Sequence, residues 1–421
     1  MVDPAAHPLI RLEGAVQHYA WGGNRFLPDL LGRPNPDGRP WAELWLGAHP
    51  SAPALAVLGE GSERLDRLVA GDPRRVLGPR AAAMLDGRLP YLLKVLDARR
   101  MLSLQAHPSR AQAAEGWARE NAAGVPLDAP QRCYRDDNHK PEVHVALTDF
   151  WMLHGFRPLE AVASEMRRTP EVGALMPEFG ERLRAARGPA ERRSLLRDLY
   201  ARVMGMPQER VDALLGSLLA RTRAEVGDPD ARGHWALRAA EEYALPGGRR
   251  DRGIFSIYLL NLVRLRPGEG TYQPAGTLHA YLKGANVEMM ASSDNVLRGG
   301  LTPKHVDAPE LLRTLDFGDG EPEVLRGEPA GGGERVYRTA AEEFELSRIE
   351  LAPGAMRHLR AEAGPDSLIV VEGAAEARSG AVALPLPRGT ALFVPHGVAY
   401  SLGAGSAPAV LFRGAVPLPR A

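Results

Sequence analysis

The chain has 421 residues, of which 44% are hydrophobic and 25% charged, and this length predicts two or three globular domains instead of one core. Lysine plus arginine and aspartate plus glutamate each number 52, a balance that argues against broad binding to nucleic acid or to an anionic membrane but allows a local anion pocket. The single cysteine, Cys133, excludes an intrachain disulfide, and the sequence shows neither a signal-peptide pattern nor an apolar run of membrane-spanning length, so we expect a cytoplasmic protein without a membrane partner.

The first 150 residues predict mostly β-strands. Short segments in which apolar and polar residues alternate are separated by Gly, Pro and Asp, as in ELWLGAHP, PYLLKVLDA and MLSLQAHP. One stretch, from 109 to 124, has helical spacing instead.

From about 159 to 244 the apolar residues recur at intervals of three and four, which indicates amphipathic helices. The strand pattern returns at 254 and continues to the end, and the glycine-rich run EPAGGGERV near 328–336 is the best linker candidate. We therefore predict a mainly β chain with an α-helical insertion. Three units are expected: a β domain formed by 1–158 with 245–330, an inserted helical subdomain at 159–244, and a second β domain at 331–421.

A weak internal repeat links the two β regions. GTYQPAGTLHAY at 270–281 and GTALFVPHGVAYSL at 389–402 share a Gly-Thr opening, a strand, a Pro-x-Gly turn and a second strand. When the prolines are aligned, Tyr400 falls where the first copy has His279. Two similar β domains, and chance similarity of strand-turn-strand sequences, explain this repeat equally well.

Three predicted strands carry residue types that bind metals. Gln105 and His107 are two residues apart and share one face of a strand. Lys140 and Glu142 share a face in NHKPEVHVAL, and His279 follows a Pro-Ala-Gly turn. If these strands are neighbours, two imidazoles, a carboxylate and an amide can converge on zinc or another first-row divalent ion. Taken singly, each histidine is more often a surface or core residue, so spacing alone leaves a structural role open.

A fourth block, VEMMASSDNVLRGGLTPKHVD at 287–307, places charged residues around a turn and a flexible Arg-Gly-Gly. Arg298 and Lys304 near glycines suit a phosphate or an oxyanion, with Glu288 and Asp294 close in sequence. A solvated loop with ordinary charges is the alternative. The chain keeps only four lysines among its 52 basic residues, and all four lie in the motif-like blocks: Lys94, Lys140, Lys283 and Lys304.

In their order and separations, five blocks of this sequence resemble the type I mannose-6-phosphate isomerase family, the phosphomannose isomerases of the cupin superfamily. The blocks are YAWGG at 19–23, AELWLGAHPSAPA at 42–54, PYLLKVLDARRMLSLQAHPS at 90–109, ENAAGVPLDAPQRCYRDDNHKPEVHVALTDFWMLHGFRP at 120–158 and GEGTYQPAGTLHAYLKGANVEMMASSDNVLRGGLTPKHVD at 268–307.

The resemblance implies two cupin-type, jelly-roll-like β-barrels, of which the second lacks a metal site. It implies one zinc ion per chain, with another first-row divalent ion able to take its place, held by Gln105, His107, Glu142 and His279. The implied catalytic residues are Arg298, Lys140 and Glu288. The implied substrate-binding residues are Trp21, Lys94, Ser103, Tyr281, Asp294 and Lys304.

The resemblance also implies a reaction, the reversible interconversion of mannose 6-phosphate and fructose 6-phosphate through a cis-enediol, in carbohydrate and GDP-mannose metabolism. The expected partner is a small sugar phosphate, and we expect a monomer. Such a reaction needs a stabilised oxyanion and a base whose pKa lies near neutrality. Lys140, Glu288 and His107 are the candidate bases, of which we favour the first two without separating them. Arg298 can stabilise the enediolate or hold the phosphate.

Three other functions compete with this hypothesis. A metal-dependent dioxygenase on the same scaffold would use two histidines and a carboxylate, but it would not need the Arg and Lys set. A non-catalytic sugar-phosphate binding module is disfavoured because all the ligand-type residues are present. An isomerase for a different aldose is discriminated poorly by the sequence.

Overall fold

The structure is a computed structural model that describes residues 7–418. Strands account for 32% of the chain and helices for 30%, in three sheets and a group of helices that interrupts the strands. This agrees with the expected chain of β sheets that carries a helical insertion. No helix within the described residues combines the length and the apolar character needed to cross a membrane.

The described residues before 159 form the first strands and four helices. In chain order these are β1 (Ile10–Glu13), β2 (Ala15–Gln17), α1 (Phe26–Leu31), β3 (Glu43–Leu46), β4 (Leu55–Leu58), β5 (Gly61–Arg64), α2 (Leu65–Gly71), α3 (Pro73–Met84), β6 (Tyr91–Ala98), β7 (Leu104–Ala106), α4 (Arg110–Ala122), β8 (Glu142–Ala146) and β9 (Phe150–Phe156). Helix α4 confirms the helix expected at 109–124, and the Ser109 side chain caps it by accepting from the backbone N–H of Gln112. Helices α1 to α3 were not expected, because the sequence predicted only one helix in this region. They are short, and α3 is interrupted at Gly78, so none builds a long apolar period.

The segment after residue 158 is helical, as its apolar spacing predicts. Its helices, with one short helix that follows, are α5 (Leu159–Arg168), α6 (Pro170–Gly173), α7 (Phe179–Ala185), α8 (Pro189–Gly205), α9 (Gln208–Arg221), α10 (Arg232–Glu242) and α11 (Ser256–Leu259). Their apolar faces form one core, in which Leu199 and Trp235 are fully buried and which also contains Leu104 and Ala106 of β7. The helices therefore pack on the apolar face of β7, and Gln105 lies on the opposite face of that strand.

The remaining residues return to strands. They form β10 (Leu260–Leu265), β11 (Gly270–Gln273), β12 (His279–Ala291), β13 (Leu297–Gly300), α12 (Ala308–Thr314), β14 (Glu328–Gly331), β15 (Glu334–Tyr337), β16 (Glu345–Leu351), β17 (Met356–Arg360), β18 (Asp366–Glu372), β19 (Ala374–Ser379), β20 (Val382–Pro387), β21 (Ala391–Val394), β22 (Ala399–Ala404) and β23 (Ala409–Ala415). Both copies of the weak repeat form a strand, a turn and a strand. Tyr400 lies at the position that matches His279, and its hydroxyl donates to a carboxylate oxygen of Asp366 at 2.7 Å.

One sheet joins the two ends of the chain. Its strand order is β14-β15-β16-β23-β18-β21-β1-β4-β5, so three strands from the first 64 residues extend a sheet built by the C-terminal strands. Ile10 lies opposite Phe393 where β1 meets β21. The sheet thus contains residues from both sides of the boundary predicted at 331. The strands β17-β22-β19-β20 form a separate four-stranded sheet.

Strand β12 organises the third sheet because it is 13 residues long and bent. A register shift lies between Tyr281 and Lys283, and the next residue, Gly284, has a φ of 121°. The half before the bend pairs with β7 and β9, and the half after it pairs with β6 and β8. Four strands are thereby brought around one point, although they are far apart in the sequence.

Candidate active site

Two histidines and a glutamate converge at strand ends. His107 follows β7, Glu142 begins β8 and His279 begins β12, and all three are buried. The Nε2 atom of His107 lies 3.4 Å from one carboxylate oxygen of Glu142, and the Nε2 atom of His279 lies 3.4 Å from the other. Candidate ligand atoms of the three residues all lie within 4.8 Å of one another, so the triad could hold a metal ion.

The outer nitrogens of both imidazoles are fixed by backbone carbonyls. His107 Nδ1–H donates to the carbonyl of Asn295 at 2.7 Å, and His279 Nδ1–H donates to that of Thr277 at 2.9 Å. This leaves each Nε2 as a lone pair directed at Glu142, which is the tautomer that a metal ligand needs. The Nε2 atom of His107 is buried without a hydrogen-bond partner among the described residues. A buried nitrogen in this state is the expected signature of a metal ligand.

The charge states of the triad also fit a cation. Burial lowers the pKa of His107 to about 4, so its imidazole is neutral at physiological pH. Burial alone would raise the pKa of Glu142, but the Lys140 ammonium lowers it well below its usual range. Lys140 Nζ lies 3.2 Å from Glu142 Oε1. The site therefore presents the Glu142 carboxylate beside a neutral His107 imidazole.

Gln105 lies between the triad and the rest of the site. It is the direct partner of His279 in the pairing of β7 with β12, and directly opposite residues of antiparallel strands share a face. Its side chain lines the same small cavity as Glu142 and His279. Its assignment as a fourth ligand stays a prediction.

The small cavity has a volume of about 60 Å³ and brings together seven of the predicted residues. These are Lys94, Gln105, Lys140, Glu142, His279, Tyr281 and Glu288. Lys94 lies directly opposite Glu288 where β6 meets β12, and its ammonium is 3.1 Å from Glu288 Oε1 and 3.5 Å from Glu43 Oε2. The hydroxyl of Tyr281 donates to the other oxygen of Glu288 at 2.9 Å. Glu43 was not predicted as a site residue. The available signal was that Glu43 and Trp45, two residues apart in ELWLG, share one face of a strand.

Burial and neighbouring charges affect the pKa values of Lys94 and Glu288 differently. Burial disfavours the Lys94 ammonium, but Glu43 and Glu288 outweigh it and raise the pKa of Lys94, so Lys94 stays charged. Burial raises the pKa of Glu288 above its ordinary value, and the negative charges of Glu142 and Glu43 add to this, against the lowering effect of Lys94. A carboxyl whose pKa is raised binds a proton more readily than an ordinary glutamate, as a group that accepts and returns a proton must.

A second, larger cavity of about 770 Å³ opens beside the first. The predicted residues that line it are Trp21, Ser103, Gln105, Arg298 and Lys304. Gln105 lines both cavities, so a molecule in the larger one reaches the metal triad past this side chain.

Two cations, Arg298 and Lys304, line the larger cavity, and Arg135 lies close enough to both to lower their pKa. Burial lowers the pKa of Arg298, and Arg135 adds to this, while burial followed by Arg298 and Arg135 lowers the pKa of Lys304. None of the three forms an ion pair with a carboxylate in the described part of the chain. Three cations that repel one another without a carboxylate partner favour binding of an anion. Arg135 was missed because nothing in its sequence neighbourhood distinguishes it.

The position of Arg298 depends on the two glycines that follow it. A register shift separates Arg298 from Gly300 in the pairing of β13 with β7. Gly300 has a φ of 123°, and a Cβ there would lie 2.7 Å from the Oδ1 atom of Asp251. Only glycine fits this bulge, so the Arg-Gly-Gly sequence is a requirement of the local backbone.

Asp294 lies outside both cavities. Its carboxylate is 3.4 Å from the Nε2 atom of His49, a residue that the sequence did not single out. Burial would raise the pKa of Asp294, but His49, Lys140 and Lys94 together hold it below its usual value. The structure therefore brings together every predicted residue except Asp294, which lies at the edge of the site.

The end of the helical segment supplies a wall that the sequence did not predict. Residues 242–246 line the larger cavity opposite Leu102 and Ser103. The hydroxyl of Tyr243 donates to the carbonyl of Met101, and Glu242 Oε2 accepts from the Met101 N–H at 2.9 Å. These contacts tie the helical segment to the chain immediately before β7.

The residues thus define a site that could hold a divalent metal ion beside a cavity suited to an anion. A family model described as "Phosphomannose isomerase type I, catalytic domain" matches residues 9–159. The chain is 37% identical to mannose-6-phosphate isomerase of Escherichia coli (strain K12) over 387 residues, which are 91% of this chain and 94% of that protein. It is 38% identical to the Salmonella typhimurium enzyme of the same name over 348 residues, which are 81% of this chain and 84% of that protein.

Comparison of this fold with solved structures points to the same family. A crystal structure of mannose 6-phosphate isomerase from Salmonella typhimurium, bound to its substrate fructose 6-phosphate and zinc, superposes with a TM-score of 0.85 at 33% sequence identity. The match covers 98% of this chain and 100% of that one. The chain belongs to the type I phosphomannose isomerase family.

Proposed function

We propose that this protein is a zinc-dependent mannose-6-phosphate isomerase, which interconverts mannose 6-phosphate and fructose 6-phosphate through a cis-enediol. The observation that carries the proposal is the position of Gln105, which lines both the cavity that contains Glu142 and His279 and the cavity lined by Arg298 and Lys304. Relatives over most of the chain carry the same name, and one of them binds fructose 6-phosphate and zinc.

In the proposed enzyme His107, Glu142 and His279 hold the zinc ion, and Gln105 completes the set. The unpartnered Nε2 of His107 and the low pKa of both His107 and Glu142 support this assignment. Gln105 adds no negative charge, so the ion keeps more of its Lewis acidity than it would beside a second carboxylate. Bound zinc supplies polarisation of the oxygens on the reacting carbons.

We assign Arg298 to the phosphate. It lines the larger cavity with Lys304, and Arg135 is a further cation near both, whereas the residues suited to proton transfer line the smaller cavity. Ser103 and Trp21 would complete the binding of the sugar phosphate. We prefer this assignment to the alternative in which Arg298 stabilises the enediolate.

We assign the base to Glu288. Its raised pKa suits a group that takes the proton from C2 and returns it to C1, and Lys94 and the Tyr281 hydroxyl hold its two oxygens in place. Lys140, whose ammonium borders Glu142 in the same cavity, would stabilise negative charge that develops on the substrate oxygens.

The architecture expected for the family is part of this proposal. We propose two cupin-type barrels, an active-site domain formed by 1–158 with 245–330 and a C-terminal one at 331–421 without a metal site, with the helical subdomain 159–244 between the parts of the first. A monomer in the cytoplasm that serves GDP-mannose metabolism follows from the same resemblance.

The proposal is tested by an isomerase assay coupled to fructose 6-phosphate consumption, with metal content measured on the same sample. We expect turnover of mannose 6-phosphate, loss of activity after chelation and recovery with zinc. A protein that contains zinc but leaves mannose 6-phosphate unchanged would exclude the isomerase, and full activity after metal removal would exclude the metal role.

The assignment of the base is tested separately. Glu288→Gln should retain zinc and lower kcat by about 10³-fold, because a positioned general base contributes on the order of 10²–10⁴ to the rate. Incubation of mannose 6-phosphate in D₂O should introduce solvent deuterium into the product through the enediol. Transfer without any exchange under all conditions would favour a hydride shift.

A further inference from the structure

Glu343, from the C-terminal part of the chain, reaches the segment that carries Lys140. This glutamate lies two residues before β16 and is only 4% exposed. Its Oε1 atom lies 2.6 Å from Nε2 of His139 and 2.5 Å from Nη2 of Arg110. A carboxylate oxygen only accepts, so the imidazole presents Nε2–H to it and the guanidinium donates to the same oxygen.

Both partners of Glu343 hold the same short segment. Arg110 also donates through Nη1 to the side-chain oxygen of Asn138 at 3.0 Å. His139 is the next residue, and Lys140 follows it with its ammonium 3.2 Å from Glu142. Three consecutive residues therefore lead from the contact with Glu343 into the cavity that Lys140 lines together with Glu142 and His279.

The charge and burial of Glu343 indicate that this residue does more than fill space in the protein interior. Burial would raise the pKa of Glu343, but the bond to His139 and the positive charge of Arg110 hold it below its usual value, so the buried group stays ionised. Its second oxygen, Oε2, is buried without a hydrogen-bond partner among the described residues. An ionised carboxylate with one unpartnered oxygen is a costly way to fill space in a protein.

Hydrogen bonds from the other side fix Asn138 but not His139. The Asn138 carbonyl accepts from Ser293 Oγ at 3.1 Å and from Asn295 Nδ2 at 2.9 Å. Within the described part of the chain, the His139 side chain makes its polar contacts with Glu343, which accepts its Nε2–H, and with the adjacent Arg110 guanidinium. Glu343 thus restrains the side chain of the residue that directly precedes Lys140.

We propose that Glu343 is a positioning residue that fixes His139, and through it Lys140, so that the C-terminal part of the chain sets the geometry of the active site. The proposal rests on the proposed isomerase function for its kinetic readout, but its structural readout needs no substrate. A displacement of about 1 Å in a catalytic group can cost on the order of 10²-fold in rate, so a contact of this kind can control turnover without touching the substrate.

The test compares two substitutions of Glu343 in the full-length, zinc-loaded protein. Glu343→Ala should lower kcat by about 10-fold and change KM by less than about 3-fold, because Lys140 loses position while the phosphate-binding cations are untouched. Glu343→Gln keeps an acceptor for His139 and should recover part of that loss. Hydrogen–deuterium exchange of the backbone amides in 135–141 should be faster in Glu343→Ala than in the unchanged protein.

Glu334→Gln is the matched control. Glu334 is another buried carboxylate of the C-terminal part, bonded to Ser347, Arg357 and Arg413. Its substitution should lower the melting temperature and leave kcat and the exchange of 135–141 unchanged. The proposal is overturned if Glu343→Ala leaves kcat and this exchange unchanged, or if Glu334→Gln alters both to the same extent. Absence of isomerase activity in the unchanged protein would refute the proposed function, while the exchange measurement would still decide the role of Glu343.

Discussion

Arg298 lies directly opposite Gln105 in the antiparallel pairing of β13 with β7. His279 is paired with the same glutamine on its other side. Directly opposite residues of antiparallel strands present their side chains to one face, so the proposed phosphate ligand and two proposed metal ligands stand in one row across three strands. Main-chain hydrogen bonds therefore set the distance between the phosphate site and the metal site.

Substitution of Gln105 tests the shared residue of this row. Gln105→Glu adds a negative charge to the metal set, so we expect tighter zinc binding together with a lower kcat, because the ion becomes less Lewis acidic. Gln105→Ala should weaken zinc affinity by roughly 10- to 100-fold. Zinc affinity from chelator competition and kcat from the coupled assay check both variants. Unchanged zinc affinity in both would remove Gln105 from the ligand set.

Substitution of Arg298 tests the phosphate assignment. Arg298→Ala should retain zinc and raise KM for mannose 6-phosphate by about 100-fold, because a charge-assisted bond to the phosphate contributes on the order of 2–3 kcal/mol. Competitive inhibition by inorganic phosphate should weaken in parallel. Arg264→Ala, which removes an exposed arginine paired with Asp149, is the control and should change neither constant. A fall in kcat at unchanged KM would instead place Arg298 at the enediolate.

Substitution of Tyr243 tests the wall that the helical segment contributes. Tyr243→Phe removes the hydroxyl that donates to the carbonyl of Met101, so the segment before Ser103 is held less firmly. We expect a rise of about 3-fold in KM and a loss of about 1 kcal/mol in the free energy of unfolding. Tyr337→Phe removes a similar bond to the carbonyl of Gly268, remote from the cavities, and should reproduce only the loss of stability. Equal KM values for the two variants would contradict the role of Tyr243.

Asp97 gives a pH-dependent stability prediction. Burial raises its pKa from 3.8 to about 6, against the lowering effect of the Phe26 N–H. A carboxyl with a raised pKa in the folded state contributes stability below its unfolded pKa, and that contribution is lost as the pH rises through the folded pKa. Asp97→Asn should therefore stabilise the protein by about 1–2 kcal/mol above pH 6 and leave it unchanged below about pH 4. Denaturant unfolding at several pH values measures this difference, and a constant difference across that window would refute the assignment.

The sequence led to the metal triad through the resemblance of its motif blocks to a known family, because strand spacing alone left a structural role open for each histidine. Gln105 and His107 share a face in LSLQAHP, and Glu142 begins an apolar strand. The structure then showed that these strands meet, which required β12 to bend at Gly284 and to pair with four others.

The residues that the sequence did not predict enter the site from other parts of the fold. Tyr243 arrives at the end of a helix, and Arg135 and Glu343 lie in irregular segments without a repeating pattern. Their neighbours in space are distant in the chain, so no local period marks them. The short helices α1 to α3 were missed for a related reason, because each is too short for a helical period to stand out from alternation.

The nine-stranded sheet also has a consequence for how the chain is made. During translation β1, β4 and β5 leave the ribosome first, yet β1 finds its second neighbour only after β21 has been synthesised, more than 350 residues later. Until then the nascent chain exposes an open strand edge, the kind of surface that aggregates or recruits chaperones. Completion of this sheet, and with it release of the finished enzyme, therefore waits for the last strands of the polypeptide.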